Sequence, residues 1–344
     1  MSSIWNNRIS ISIFGESQGP AIGVTIDDLP AGEYIDVEAV SGFMARRNIG
    51  IVNSHENIMP HVMSGIYNDR TTGTPLCAFI QNTSVKAPQH TAVDRLSRPG
   101  HADYTGAVRY KGFDDFRDEG HFSQRLTIPL CFAGAICAQI LERRGIYTGA
   151  HVASIHNIKD NPYDPVNITR DGVRSIRVKD FPVINDRRGW LMQDDIKKAR
   201  EAGESLGGVI ECASVNVPAG VGSPIFNGLE NNIAQLVFGI PGVTGLEFGA
   251  GFRSARMVGS QNKDEFYTNE RGHFMTKTNN HGGILSGISS GMPITLNVAI
   301  KPVLDYGDGE TKPETCMVPS AVAGVEAAVN IALLSQMIDY PNFC

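Results

Sequence analysis

The chain lacks the features that mark several whole classes of protein. Its 344 residues include six cysteines (Cys77, Cys131, Cys137, Cys212, Cys316, Cys344), none in a Cys-x-x-Cys pair. That excludes a disulfide scaffold and a zinc ribbon, and leaves the thiols as reduced packing residues. Cations are outnumbered, with 30 Lys and Arg against 36 Asp and Glu for a formal charge of −6. A general nucleic-acid binder is therefore excluded, because affinity for phosphate backbones needs clustered Lys and Arg; a local basic pocket for a small anion is not. His55 with His61, and His151 with His156, lack a convergent Cys or carboxylate pattern, so no metal site is expected. The apolar run Pro129 to Leu141 is too short to span a bilayer and ends in Glu142-Arg143-Arg144. The opening MSSIWNNRIS does not have the charged-then-apolar layout of a signal peptide. The expectation is a soluble, cytoplasmic protein with neither membrane nor nucleic-acid partners.

What the chain does have is 42% hydrophobic residues for a core and 37 glycines for tight turns. Residues 8–14, RISISIF, alternate apolar and polar as a half-buried strand does. Gly15 to Gly19 then predict a turn, and Ile22, Val24 and Ile26 resume the alternation, so a hairpin with a longer loop is expected. The stretch Gly15–Gly32 matches Gly203–Gly220: Gly-Glu-Ser-x-Gly opens both and Pro-Ala-Gly closes both. This predicts one domain, residues 1–344, built of two similar halves at roughly 8–145 and 195–338. Helices are predicted from Asp36, as N-cap, to Arg47, over Pro129–Arg144, Asp194–Ala202 and Asn231–Ile240, and from near Pro319 to near Asp339. Paired strands with long apolar helices point to an α+β fold, helices packed on antiparallel sheets.

Chemistry concentrates in SRPGHADYTG (97–106), where Arg98 and His101 flank Gly100, and in GHFSQR (120–125), with His121, Ser123 and Arg125. Arg46 and Arg47 end a helix. Fixed arginines can hold carboxylates or phosphates through paired hydrogen bonds, and loops carry function disproportionately. GAGFRS (249–254) shares only two glycines with a dinucleotide fingerprint and has no acidic residue at the required distance. The Gly-rich NNHGGILSGISSGMP (279–293) is open to two readings, an anion cradle or a turn entering a strand.

In order, FGES-x-G, RR, SG-x(6)-TTGTP, RPGHADY, the Ser-x-Arg-x-Thr run, GES-x-GG, VPAGVGSPIF, the GGILSGIS run and AIKP cover the chain from about Ile9 to Leu334. This series resembles the chorismate synthase family. The resemblance implies a β-α-β sandwich with helices between two antiparallel sheets, usually as a homotetramer. It implies elimination of phosphate from 5-enolpyruvylshikimate 3-phosphate with reduced FMN, NADPH being a candidate reductant. Carried onto this sequence, His101, Glu314, Ser17 and Gln18 stand at catalytic positions. Ser123, Arg125, Lys301, His121, Ser286 and Lys312 stand at flavin-contacting positions, and Arg47, Arg98, Arg125 and Arg46 at substrate-anion positions.

The departures gather at those same places. The family has histidine where Gln18 stands, and an amide can bind a phosphate but cannot donate a proton to it near neutral pH. Arg-Ser-Ser has become His121-Phe122-Ser123, the Gly of the Gly-rich run is Ser286, and Lys-Pro-Thr-Ser-Ser has become Lys301-Pro302-Val303-Leu304-Asp305. Arg-His-Asp-Pro-Cys has become Lys312-Pro313-Glu314-Thr315-Cys316. Three readings follow: an active divergent synthase; an enzyme on the same scaffold acting on a related polyanionic ring compound, without FMN in one form of this reading; or a non-catalytic paralogue.

Overall fold

The structure is a computed structural model that describes residues 3–49, 58–82, 100–270, 272–302 and 315–341. Its first sheet is built from β1 (Ile4–Asn6), β2 (Ser10–Gly15), β3 (Ala21–Asp27), β4 (His61–Ser64) and β7 (Leu76–Gln81); between the last two runs the short pair β5 (Ile66–Tyr67) and β6 (Arg70–Thr71). The order is β1-β2-β3-β7-β4, antiparallel throughout. β2 and β3 form the expected hairpin, Ile11 facing Ile26 and Ile13 facing Val24 across the ladder. The second sheet contains β8 (Tyr147–Ile155), β9 (Ile158–Lys159), β10 (Gly208–Val215), β11 (Val243–Phe248) and β16 (Ile294–Ile300), in the antiparallel order β11-β16-β10-β8-β9. Two small hairpins, β12–β13 (Phe266–Thr268, Phe274–Thr276) and β14–β15 (Ile284–Leu285, Ile288–Ser289), lie between β11 and β16 in the chain.

Eight α-helices complete the described chain: α1 (Val37–Ala45), α2 (Asp103–Arg109), α3 (Thr127–Arg143), α4 (Arg170–Arg177), α5 (Asp186–Ala202), α6 (Leu229–Val237), α7 (Gly259–Asn262) and α8 (Val318–Met337). α3 packs on the first sheet, α8 on the second, and the two pack on each other. The result is an α+β sandwich with helices between two antiparallel sheets. Every residue of α8 is buried. Small side chains allow this crowding: a Cβ on Gly134 would stand 2.2 Å from the Cα of Ala327. Val318–Met337 and Gln124–Arg143 are both long and apolar enough to cross a membrane, but 100% and 72% of those windows are buried inside the protein. They are core helices, and α8 is a longer apolar segment than the Pro129–Leu141 run singled out by sequence.

β2-β3-α1-β4-β7-α3 and β8-β10-α6-β11-β16-α8 run in the same chain order, and the four strands of each occupy matching places in their sheets. The strand exits match in backbone detail. Asp28 and Asn216 have φ of 62° and 63°, and Gly32 and Gly220 follow at 82° and 98°. The entries do not match. The first Gly-Glu-Ser lies in the β2–β3 loop, whereas Gly203 is the left-handed C-cap of α5. β8, the counterpart of β2, begins at Tyr147 and is separated from β10 by the insertion carrying α4 and α5. The second set of elements therefore starts well before residue 195.

The candidate active site

A cavity of about 780 Å³ opens where the two sets of elements meet. Its walls are β1 and β2, segment 100–103, segment 119–130, segment 235–243, Lys301-Pro302 and Met317. That volume is in the range of small-molecule sites, about 300–1,000 Å³. Hydrogen bonds tie the walls across the halves: Trp5 Nε1 donates to Gln235 Oε1 at 3.0 Å, and Lys301 Nζ to the Gly100 carbonyl at 3.4 Å. The Lys301 backbone N–H reaches the Gly242 carbonyl at 2.9 Å, fixing the residue after β16 against the loop before β11.

Four of the residues singled out by sequence line this cavity: His101, His121, Ser123 and Lys301. His101 Nδ1 lies 2.9 Å from Glu119 Oε1. His121 is tied to the hairpin side of the wall, with Nδ1 donating to the Gly15 carbonyl at 2.7 Å and Nε2 meeting the Ser3 hydroxyl. Ser123 is the N-cap of the turn that leads into α3.

Ser17, Gln18, Arg47 and Arg125 do not line the cavity; they stand on elements bonded to the 120–127 wall. Ser17 and Gln18 are buried in the β2–β3 loop, and the Ser17 N–H donates to the Gly120 carbonyl at 3.0 Å. Asn82, just after β7, clamps that loop through Nδ2, donating to the carbonyls of Ser17 (3.0 Å) and Gly19 (2.5 Å). Arg125 Nη2 in turn donates to Asn82 Oδ1 at 2.7 Å. Arg47 Nε donates to Thr127 Oγ1 at 3.0 Å, and Thr127 itself lines the cavity. The guanidiniums of Arg47 and Arg125 are thus gathered around one loop and one wall, next to the hollow and not in it. Arg98, Lys312 and Glu314 lie outside the described residues, as does Asp305.

Two further placements depart from the sequence expectation. Arg46 points away from the cavity and makes a paired contact with Glu326 on α8, Nη1 to Oε2 and Nη2 to Oε1 both at 2.7 Å. Neighbouring residues on a helical turn face different ways, so Arg46 is given to the core and Arg47 to the wall. Ser286 is exposed, at φ 53° in the turn of the β14–β15 hairpin, and does not line the cavity. Of the two readings of that Gly-rich stretch, its centre is the turn. GAGFRS (249–254) runs from the end of β11 into a 3-10 turn, Gly251–Arg256.

Sequence reasoning missed Glu119, Asn82, Trp5 and Gln235. It also missed the surroundings of His151, which is fully buried with Asp160 Oδ2 3.1 Å from Nδ1 and Glu211 Oε2 2.8 Å from Nε2. Burial opposes the charged imidazole, but the two carboxylates outweigh it and raise its pKa. One carboxylate on each side of a ring is an ion-pair arrangement, not a chelating one. Among the described residues no His, Cys, Asp and Glu group could hold a metal ion.

The whole chain can be set beside known proteins. The family model described as Chorismate synthase matches residues 9–338. A chorismate synthase of Thermococcus kodakarensis is 34% identical over 351 aligned positions, covering 96% of each chain. One from Dehalococcoides mccartyi is 36% identical, covering 97% of this chain and 96% of its own. A crystal structure of chorismate synthase superposes with a TM-score of 0.82 at 28% identity, over 98% of this chain and 94% of that one. With the sandwich, the cavity between its halves and this full-length match in agreement, the chain belongs to the chorismate synthase family.

Proposed function

We propose that this protein is a chorismate synthase that eliminates phosphate from 5-enolpyruvylshikimate 3-phosphate with reduced FMN bound. The observation that carries the reading is the cavity at the junction of the halves, lined together by His101, Ser123 and Lys301. The lining fits a flavin. Trp5, Leu126, Leu130, Ile240 and Met317 offer apolar walls to a planar ring, while Ser123 and Lys301 offer a hydroxyl and a cation to its polar edge. When bound, reduced FMN supplies transient electron donation to the substrate ring with no net redox change, and NADPH is the candidate reductant.

The chain's own groups supply binding, orientation and proton handling. Lys301 places positive charge at the cavity mouth for an anionic group. Arg47 and Arg125, bonded to the wall beside the hollow, add positive charge near it, and Arg98 is the candidate for direct contact with a phosphate or carboxylate. Gln18 and Ser17 stand in the β2–β3 loop behind the 120–127 wall, and an amide supplies no proton, so proton transfer falls to His101 on the cavity wall. Lys312 remains a candidate flavin-side contact and Glu314 a candidate catalytic group. Assembly as a homotetramer in the cytoplasm belongs to the same reading.

Trp5 lines the cavity while Trp190 is 64% exposed, so Trp190→Phe leaves one tryptophan at the site. Micromolar quenching of Trp5 by FMN, tightened by the phosphorylated substrate and accompanied by chorismate formation under reducing conditions, is the expected result. Absence of FMN binding and turnover would overturn it. Gln18, standing where the family has histidine, favours a second reading on the same scaffold, a different carboxylated ring bound without FMN, and selective binding of such a ring would select it.

A further inference from the structure

Segment 115–121, which brings Glu119 and His121 to the cavity wall, follows a tight path. Arg117 grips Asp115 with Nε at 2.9 Å and Nη2 at 2.6 Å. Gly120, at φ 53°, passes so close to Asp115 that a Cβ would lie 1.7 Å from its carbonyl oxygen. The residue before it, Glu119, has φ of 65°. That is left-handed backbone, which suits glycine and strains a residue with a Cβ. The turn is held by contacts that do not use the Glu119 side chain: Ser17 N–H on the Gly120 carbonyl and His121 on the Gly15 carbonyl. What the strained position delivers is a carboxylate, with Oε1 2.9 Å from His101 Nδ1 and both residues lining the cavity. Strain of this kind persists where the group it presents has a use.

We infer that Glu119 is a positioning residue for His101. Its carboxylate accepts the Nδ1–H and fixes the ring's tautomer and orientation, so proton exchange with a cavity ligand falls to Nε2. The inference deepens the proposed synthase reading and rests on it for what the proton is used for. Gln18 cannot carry that proton. The other titratable groups lining the cavity are Asp103, Tyr110, His121 and Lys301. Of these His121 is the only other imidazole, and its Nδ1 is committed to the Gly15 carbonyl. In the same way an acid–base histidine elsewhere is oriented by a carboxylate on its far nitrogen.

The test uses the full-length protein labelled with ¹⁵N-histidine, as wild type, Glu119→Gly and Glu119→Gln. Glycine relieves the backbone at φ 65°, so the Gly variant folds, and its effects report the lost carboxylate. The Gln variant keeps an acceptor without the charge. The expected result is a single Nδ1–H signature for His101 in wild type and in the Gln variant, and mixed tautomers in the Gly variant. kcat for chorismate falls about 10²-fold in the Gly variant, the low end of what a positioned acid or base contributes, with KM little changed. An unchanged His101 signature or an unchanged kcat in the Gly variant would overturn the inference. If the signature changes as expected but wild type forms no chorismate, the positioning stands and the synthase reading fails.

Discussion

Replacing Glu326 by glutamine is the sharpest test of how the core supports the site. Glu326 is fully buried on α8 and receives four contacts: two from Arg46 at 2.7 Å, Arg177 Nε at 3.3 Å, and the Ala150 N–H at 2.9 Å. Arg177 also pairs with Glu142, so two cations and two anions balance. Glu326→Gln keeps the shape and can keep the Ala150 contact, but it leaves Arg46, itself nearly buried, without its counter-charge. Breaking a buried pair from one side costs about 3–5 kcal/mol. Since the amide retains some hydrogen bonds, we expect the lower end, about 3 kcal/mol, read as a lower urea midpoint at unchanged slope. The pH dependence gives a second signature. Burial pushes the Glu326 carboxyl up, but Arg46 and Arg177 outweigh it and hold its pKa below the ordinary 4.5. The carboxylate's contribution is therefore fully present above about pH 4.5 and is lost as pH falls through the lowered native value. The wild-type and Gln curves should converge in acid. Arg46 shares its 3-10 turn with Arg47, so the variant should also lose turnover. A stability gap below about 1 kcal/mol at pH 7, or a gap that stays constant into acid, would refute the reasoning.

Three further outcomes are expected. Gln18→His should raise chorismate formation about 10²-fold if only the acid is missing from the site, measured as initial rate under anaerobic reducing conditions. Gly134→Ala should destabilise by about 3 kcal/mol, because its Cβ would meet the Ala327 backbone at 2.2 Å between two helices that cannot separate; thermal unfolding checks it. His151 has a raised pKa, so its stabilising charge is complete below the ordinary 6.5 and is lost as pH rises through the raised native value. Stability of wild type should fall over that interval, and the same titration of His151→Gln should be flat.

Local signals in the sequence translated well into structure. The greater part of RISISIF, from Ser10 on, forms β2, its alternation putting Ile11 into the core behind the buried Ile9. Asp36 caps α1 as expected, its carboxylate accepting from the N–H groups of Glu38 and Ala39 at 3.0 Å. The sequence pattern starts this helix at Asp194, yet α5 begins at Asp186 under an Asn185 cap. Its first turns bury Gly189 and Met192 beside exposed Trp190, too sparse an apolar stripe to announce a helix. At the site, His101, Ser123 and Lys301 were legible because their motifs are specific. Trp5 and Gln235 were not, since 230 residues separate partners that only the folded halves bring together. Arg46 and Arg47 are indistinguishable as letters, and what separates them is Glu326 on a helix 280 positions away. Glu119 was silent for another reason: nothing in Arg-Asp-Glu-Gly-His announces that the Glu is held in a glycine-like backbone.

The departures at the cavity differ from those that stability would police. Its polar lining sits on loop and turn residues whose backbones are fixed by main-chain bonds, Gly120 by Ser17 and Lys301 by Gly242. Exchanging side chains at such places moves stability by about 0.5 kcal/mol or less, whereas a change within the Arg46–Glu326–Arg177 network moves it by several times that. The scaffold could therefore persist at full length while Gln18, Glu119 and His121 took the places that they hold. At Glu119 the backbone opposes the choice of residue. Its explanation must come from what binds. If Glu119→Gly raises the melting temperature while turnover falls, stability and ligand chemistry pull in opposite directions at that residue. If both rise together, the carboxylate serves neither the fold nor the reaction, and the cavity's departures lose their functional reading.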